Sequence, residues 1–471
     1  MKRFRWVLFA WIALLMPLAA RADAPTLEGA WAGSLQGMMR LIIHIDRAPD
    51  GGLKGTMDSP DQGAMGIAID TLIATGDSLR FTMRRIGGEY VARRAAPDSL
   101  DGTWRQGGMS LPLALKRGGT VPLPKRPQEP LRPLAYDTVA VTFPNQRAPE
   151  VTIAGTLTLP KGKGPFAVAL LISGSGPEDR DEAVFGHRPF LVLSDHLTRN
   201  GIAVLRVDDR GVGGSTGKFS TATSEDFASD ALAGVEFLKT RKEIDRKRIG
   251  LIGHSEGGLI APLVAIRSRD VAFIVLMAGP GIPGDSTLVL QTAALTRSMG
   301  VPEASIEAQQ AVTRRIYGRI QAGDSLGAVA AARELVMLQI SALPEAQRAA
   351  AGDPDSAAIG AIRRLYSPWM RYFLAFDPRP TLQKVKVPVL AINGEKDVQV
   401  LPKENLAALQ AAFQAGGLKD ATVKELPGLN HLFQRCTTCT LMEYPAIEET
   451  IAPAALDEMT QWIQARTATK R

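Results

Sequence analysis

The stretch 253–257 (GHSEG) restricts the fold of this chain more than any other part of its 471 residues. It lies between an apolar, strand-like run at 249–252 and a run of small residues with helical character. In that context a GxSxG sequence forms a sharp strand-to-helix turn that exposes the serine hydroxyl, and its glycines make room for the strained backbone. Ser255 is therefore the candidate nucleophile. We interpret His254 as structural, because neighbours along a strand point to opposite faces.

The chain carries an acid and a histidine downstream of this turn. Residues 387–392 (VPVLAI) predict a buried strand, and Asp397 follows in the loop at its carboxyl end, where catalytic acids lie in open α/β sheets. His431 lies in a turn after a second predicted strand, and it is the only one of the five histidines beyond both Ser255 and Asp397. The order Ser, Asp, His is the one expected with this turn, so these residues form the predicted triad. Glu395 is the alternative acid.

Apolar strands alternate with helical stretches from Asp137 onward, which predicts a mostly parallel sheet covered on both faces. We place this α/β domain at 135–471. A long segment with a helical pattern precedes the strand that leads to Asp397, and we expect it to be a helical cap over the active site at about 281–380.

The N-terminal part of the chain has a different pattern. Residues 29–116 contain about eight short β-rich segments at roughly ten-residue spacing, separated by turn sequences. We predict a small all-β barrel or sandwich domain at 23–117. Residues 118–134 contain five prolines, which predict an extended, fairly stiff linker between the two domains.

The first residues have the pattern of a secretory signal peptide. Three basic residues precede an apolar stretch at 6–20, and an Ala-Arg-Ala sequence ends at Ala22. We predict a signal peptide at 1–22 and a periplasmic or secreted protein. An apolar stretch of about 15 residues falls short of the roughly 20 needed to span a bilayer, so no stable membrane insertion is expected. The formal charge of +7 includes four basic residues of this segment, and nothing indicates nucleic acid as a partner.

The only cysteines, Cys436 and Cys439, lie shortly after His431. In an oxidising compartment they can form a local disulfide that stiffens the histidine loop, with a stabilisation of roughly 2 kcal/mol at most. The sequence leaves the bridged and the free state open. A zinc site would need two further ligands, and we expect neither a metal nor an organic cofactor.

Further motifs accompany the triad. They are residues 173–181 (SGSGPEDRD), 208–215 (DDRGVGGS), 430–434 (NHLFQ) and, in the β domain, 58–63 (DSPDQG). With these motifs, residues 137–470 resemble the α/β-hydrolase superfamily, in particular a group of exported bacterial serine esterases with a small N-terminal β domain. The resemblance implies that 173–181 is the oxyanion loop. Ser173 stands where many relatives have the histidine of an HG motif, which matters little because backbone amides bind the oxyanion.

The predicted chemistry requires two hydrogen-bond donors for the oxyanion. The amide of Glu256, directly after the nucleophile, is one of them. For the second we select Ser175, with Gly174 as the alternative. Asp209 and Arg210 are expected to brace the loop and not to contact substrate, because a buried Arg–carboxylate pair commonly holds irregular backbone.

Trp369, Tyr372, Phe373 and Phe376 fall on one face of a predicted helix near the end of the cap. This face either packs the cap onto the core or lines an acyl pocket, and under the second interpretation Trp369 and Phe373 are the candidate substrate-binding residues.

The expected function is hydrolysis of small-molecule carboxylic esters through an acyl-enzyme intermediate. The alternative is a peptidase, because the related prolyl-oligopeptidase and serine-aminopeptidase groups share the triad and the turn. Against it, the chain has no propeller repeats and no obvious pair of glutamates that would bind a free amine. A third hypothesis, a binding protein with an inert hydrolase fold, conflicts with the unbroken triad. The sequence leaves acyl specificity and oligomeric state open.

Overall fold

The computed structural model describes residues 26–35, 39–49, 51–60, 64–106, 109–118, 125–298, 300–342, 345–348 and 352–468. The predicted signal peptide at 1–22 lies outside these residues, as do residues 61–63 of the β-domain motif and the first prolines of the predicted linker. Export and the domain boundaries therefore stay predictions.

The N-terminal part forms one antiparallel sheet, with the order β4-β3-β2-β1-β9-β8-β7-β6-β5. Its strands are β1 Gly29–Leu35, β2 Met39–Arg47, β3 Leu53–Ser59, β4 Ala64–Ala68, β5 Thr71–Thr75, β6 Ser78–Met83, β7 Gly88–Ala96, β8 Ser99–Gln106 and β9 Met109–Arg117. The described residues of this N-terminal part thus contain nine strands where about eight were predicted, because β4 and β5 are separated by only two residues. Leu41, Ile43 and Ile45 of β2 are buried in a single core and the residues between them are not, which is the alternation expected of a sheet with one buried face.

The rest of the chain is built on an eight-stranded sheet with the order β10-β11-β13-β12-β14-β15-β16-β17. Its strands are β10 Asp137–Pro144, β11 Thr152–Leu159, β12 Phe166–Ile172, β13 Ala203–Val207, β14 Ile244–His254, β15 Val271–Met277, β16 Val389–Gly394 and β17 Ala421–Leu426. The strands from β13 to β17 pair in parallel, and β10 and β11 are antiparallel. The prediction of an α/β-hydrolase sheet preceded by an all-β domain is confirmed.

Helices cover both faces of this sheet. In chain order they are α1 Pro189–Arg199, α2 Ser224–Lys239, α3 Glu256–Ala265, α4 Gly284–Ser298, α5 Glu303–Gln321, α6 Ser325–Ser341, α7 Glu345–Arg348, α8 Pro354–Leu365, α9 Pro368–Ala375, α10 Arg379–Leu382, α11 Pro402–Ala415 and α12 Pro453–Thr467. Helices α2, α3 and α11 pack on one face, and α1 and α12 on the other. Along β12, Val168 and Leu170 join the first core while Ala169 and Leu171 join the second, which explains the continuous apolar run.

Helices α4 to α10 form an insertion between β15 and β16, where the sequence predicted a cap. Helices α4, α5, α6, α8 and α9 share a small apolar core of their own. Within the described ranges, the structure contains no helix that is both long enough and apolar enough to cross a membrane.

The described part of the predicted linker is attached to the α/β domain. The Arg126 guanidinium donates to the carbonyl oxygens of Ile447 and Pro445, at 2.6 and 2.8 Å. The Gln128 amide donates to the carbonyl oxygen of Ile451 at 2.6 Å. This end of the segment is therefore held in place by hydrogen bonds as well as by the stiffness of its prolines.

A pair of glycine substitutions tests how closely β14 and β15 are packed. A Cβ at Gly250 would overlap the buried ring of Phe273, so Gly250→Ala is expected to destabilise the fold by about 1–3 kcal/mol. Gly360 in α8 has no atom near the position of a Cβ, so Gly360→Ala is expected to stabilise by about 0.5–1 kcal/mol. Urea denaturation of both variants measures the two effects. A Gly250→Ala variant as stable as the parent chain would contradict this packing.

Candidate active site

Ser255 lies at the turn between β14 and α3, in a backbone conformation that side chains rarely adopt. Its φ is 52° and its ψ is −116°, a strained conformation that costs about 1–3 kcal/mol and persists only where the surroundings enforce it. The surroundings are tight, because a Cβ at Gly253 would overlap the carbonyl of Gly257, and a Cβ at Gly257 would overlap the carbonyl of Ile172. The Ser255 amide also donates to the carbonyl oxygen of Met277 at 2.8 Å. The turn thus holds the serine at the carboxyl end of the sheet.

Asp397 and His431 meet at the same end of the sheet, in the loops after β16 and β17. Nδ1 of His431 lies 2.7 Å from Oδ2 of Asp397, and both side chains are buried. The other carboxylate oxygen of Asp397 accepts hydrogen bonds from the amides of Gln399 and Val400, at 2.7 and 2.9 Å. Asp397 is therefore held in a single orientation toward the imidazole.

Glu395, the alternative acid, lies elsewhere. It is exposed, accepts a hydrogen bond from the Gly428 amide and pairs with Lys396, and these hydrogen bonds lower its pKa. It makes no hydrogen bond to His431 in the described structure, so it does not compete with Asp397.

Ser255 and His431 line the same cavity, which has a volume of about 200 Å³. No hydrogen bond joins the two residues in the described part of the chain. Contacts of this kind are often long without substrate and tighten only when substrate binds. The structure thus brings Ser255 and His431 to one cavity, and Asp397 is in direct contact with His431.

The hydrogen-bond partners of the backbone amides near Ser255 distinguish the candidate donors to the oxyanion. The Gly174 amide donates to Oε1 of Glu182 at 2.9 Å, so it is occupied. Ser175 lines the cavity next to it. Glu256 is the first residue of α3, where helix amides have no partner within the helix. Of the two alternatives for the second donor, the geometry favours Ser175 over Gly174.

The Glu256 side chain connects the turn to the helical insertion. Its Oε1 accepts hydrogen bonds from Ser224 Oγ at 2.6 Å and from Trp369 Nε1 at 2.8 Å. Burial raises the pKa of this carboxyl, while the hydrogen bonds from Ser224, Trp369 and Ser175 oppose that shift. The rings of Trp369 and Phe373 stack at 5.3 Å between centroids, and both line the cavity. These aromatic residues therefore both pack the insertion onto the core and form a wall of the pocket.

Acidic side chains line the cavity, a feature that sequence reasoning missed. Glu178 and Glu182 lie in the loop after β12 and reach the cavity together with Glu256, and no Lys or Arg is among its described lining residues. Burial, and then the charges of Glu182 and Asp209, raise the pKa of Glu178 to about 8. The i, i+4 spacing of Glu178 and Glu182 was the available signal for this acidic lining.

Asp209 and Arg210, in the loop after β13, form hydrogen bonds with different elements. Asp209 accepts hydrogen bonds from Ser173 Oγ and the Glu178 amide, at 2.8 and 3.0 Å. Arg210 pairs with Asp230 instead, at 2.6 Å. Asp209 and Arg210 therefore both brace this part of the chain, as expected, but each does so through a different element. Burial raises the pKa of Asp209 to about 7.

His254 also lies nearer to the chemistry than strand alternation implied. Its ring lines the cavity and lies 4.8 Å from the ring of His431, between centroids. The alternation argument fails because His254 is the last residue of β14, where the chain already turns.

After His431, Cys436 and Cys439 form a disulfide, so the bridged state is the one found in the structure. Among the described residues no group of three or more His, Cys, Asp or Glu side chains is arranged to hold a metal ion.

Comparison with known proteins agrees with this architecture. The family model described as serine aminopeptidase, S33 (Hydrolase_4) matches residues 189–435. Esterase EstD from Thermotoga maritima is 25% identical over 315 residues, which are 66% of this chain and 65% of that protein. The aligned segment thus spans slightly less than two thirds of the relative's length.

Two solved structures are similar at low sequence identity. One is the α/β hydrolase GrgF from Penicillium sp. sh18, 16% identical with a TM-score of 0.43, covering 71% of this chain and all of that one. The other is the Pyrococcus furiosus esterase PF2001, 16% identical with a TM-score of 0.42, covering 71% of this chain and 92% of that one.

The family match begins at α1 and ends just after His431. It therefore includes the strained turn, the helical insertion and the two loops that carry Asp397 and His431. This chain is a member of the serine aminopeptidase S33 family, within the α/β-hydrolase superfamily.

Proposed function

We propose that this protein is a serine hydrolase that cleaves small-molecule carboxylic esters, with Ser255 as nucleophile, His431 as general base and Asp397 as the acid that orients it. The observation that carries the proposal is the 2.7 Å hydrogen bond between Asp397 and His431, whose ring lines the same cavity as the strained Ser255. The family match and the esterase named among its relatives support the same class of enzyme.

In the proposed reaction Nε2 of His431 takes the proton of the Ser255 hydroxyl as its oxygen attacks the ester carbonyl carbon. Asp397 holds Nδ1–H and stabilises the imidazolium that forms. The amides of Glu256 and Ser175 are the proposed donors to the oxyanion of the tetrahedral intermediate. His431 then returns the proton to the leaving alcohol, and water hydrolyses the acyl-enzyme.

The walls of the cavity suggest which part of the substrate enters it. Trp369 and Phe373 form one apolar wall, and Leu288 and Leu432 contribute further apolar surface. A cavity of about 200 Å³ suits an acyl group of modest size. Uncharged acyl groups are favoured over carboxylates, because glutamates line the same space.

The first test is removal of the nucleophile. Ser255→Ala is expected to lower kcat for a chromogenic ester by about 10⁴- to 10⁶-fold and to abolish labelling by a fluorophosphonate probe. Ser341→Ala, at an exposed position at the end of α6, serves as the control and should behave as the parent chain. Equal labelling of Ser255→Ala and the parent would rule out catalysis through this serine.

A second test separates the two candidate acids. Asp397→Asn keeps the size of the side chain but removes the charge that fixes the imidazole tautomer, so kcat is expected to fall by about 10⁴-fold. Glu395→Gln removes a carboxylate from the same loop and is expected to leave kcat within about threefold, because Glu395 does not contact His431. The rate of ester hydrolysis measured for both variants decides which carboxylate orients His431. A larger loss of kcat in Glu395→Gln than in Asp397→Asn would assign that role to Glu395.

The acidic lining favours one further candidate function, a peptidase that binds the free amine of its substrate. Glu178 lines the cavity, and no Lys or Arg in the described residues forms an ion pair with it. A carboxyl whose pKa is raised to about 8 is mostly protonated at pH 7 and binds an ammonium weakly there. For this reason we place ester hydrolysis first.

Substrates with and without an amine distinguish the two functions. At pH 7 we expect an uncharged ester to react with a higher kcat/KM than an aminoacyl anilide. If Glu178 binds an ammonium, KM for the anilide falls as pH rises from 6 to 8 and Glu178→Gln removes this trend. Turnover of the uncharged ester should stay within about threefold in that variant. Efficient anilide turnover at pH 7 with negligible ester hydrolysis would place the peptidase first.

A further inference from the structure

We propose that Glu182 and a doubly protonated His254 form a buried ion pair that holds the histidine loop against the oxyanion loop, and that both act as positioning residues. The effect of this pair on the reaction rate rests on the proposed function. The protonation state of His254 is independent of that function, because it follows from hydrogen bonds in the folded chain.

The protonation state follows from the partners of the His254 ring. Nδ1 lies 2.9 Å from Oε1 of Glu182, and Nε2 lies 3.1 Å from the carbonyl oxygen of His431. A carboxylate oxygen and a carbonyl oxygen both accept hydrogen bonds and donate none. With Glu182 ionised, both ring nitrogens therefore carry a hydrogen, which a neutral imidazole cannot provide. The geometry assigns an imidazolium to His254.

The charges around the ring support this assignment. His254 and Glu182 are 5% and 3% exposed, so the pair is shielded from solvent. Burial by itself would lower the pKa of His254, but the charge and hydrogen bond of Glu182, the His431 carbonyl and the charge of Asp397 raise it to about 8. Glu178, whose pKa is raised to about 8, is a further acidic group that interacts with this ring, and His431 is the other titratable ring in contact with it.

The pair connects three segments that are distant in sequence. Oε1 of Glu182 accepts from the Gly174 amide as well as from His254, so it shapes the loop that presents Ser175. Nε2 of His254 donates to the backbone of His431, the proposed base. His254 itself precedes Ser255. A single proton on this ring thus determines whether the proposed nucleophile, oxyanion donor and base keep their spacing.

Loss of that proton leaves one of the two buried acceptors without a donor. The folded chain binds the proton more tightly than the unfolded chain, whose histidine has an ordinary pKa of 6.5. The stabilisation from this pair is therefore complete below about pH 6.5 and is lost as pH rises through about 8. The same deprotonation is expected to produce an alkaline decline in kcat.

Nitrogen-15 NMR of the histidine rings tests the protonation state directly. The chain has only five histidines, and the His254 signals are assigned by their absence in His254→Gln. We expect both His254 ring nitrogens to be protonated at pH 7 and to titrate near pH 8. His187 is the internal reference, since burial lowers its pKa to about 4 and keeps it neutral. A neutral His254 at pH 7, including one with the proton on Glu182, would overturn the proposal.

Enzyme kinetics test the positioning role. Glu182→Gln keeps an acceptor for the Gly174 amide but removes the charge, and we expect kcat to fall about ten- to a hundredfold with KM within about threefold. Its alkaline decline should move to lower pH. In Glu182→Gln/His254→Gln the loss should be smaller than the product of the two single losses, because both act through one pair. Glu395→Gln is the matched control for removal of a carboxylate that accepts a backbone amide.

The outcomes separate this inference from the proposed function. A Glu182→Gln variant with the parent's kcat and pH profile, or multiplicative losses in the double variant, would overturn the positioning role while Ser255→Ala still abolishes hydrolysis. Full activity in Ser255→Ala would instead refute the proposed function. If Glu182→Gln does not fold, the NMR titration of the parent chain decides the protonation state by itself.

Discussion

The close packing of backbone around Ser255 is the constraint on which the candidate site depends. The turn at 253–257 is pressed against β12 and β15, with glycines at the points where a Cβ would overlap a neighbouring backbone. This packing enforces the positive φ of Ser255, which an isolated chain would relax. Because the turn is held from several sides, the serine points into a cavity whose other walls come from separate loops. A residue larger than glycine at 253 or 257 would act on the site through the backbone.

Several titratable side chains surround this turn. Glu182, His254 and Glu256 are buried, Glu178 and Asp209 lie beside them, and hydrogen bonds tie Glu182, Asp209, His254 and Glu256 to neighbouring segments. Removing one partner of such a network leaves a buried acceptor without its donor, which is more costly than losing a surface pair. Polar contacts therefore position the loops here, while apolar contacts position the sheet and the helices that cover it.

The helical insertion between β15 and β16 is also attached to the turn that carries Ser255. Trp369 and Phe373 face the cavity from α9, and the Trp369 indole donates to the Glu256 carboxylate beside the nucleophile. The covering helices are thus joined to the turn by a directional hydrogen bond and not by apolar packing alone. A change in the insertion is expected to reach the turn at 253–257 through Glu256, which links the shape of the pocket to the position of the helix that follows Ser255.

The sequence by itself determined the class of fold, the two kinds of sheet, the helical insertion and the three candidate residues of the triad. It could do so because alternation of apolar residues, turn sequences and the order of Ser255, Asp397 and His431 are local or sequential signals. Only the tertiary structure decided the contacts of polar side chains: the hydrogen bond that occupies the Gly174 amide, the partner of Arg210, the glutamates in the cavity and the place of His254. These contacts join residues on different segments of the chain, and their geometry depends on the conformation of short loops. A periodic pattern in the sequence therefore does not predict which donor binds which acceptor.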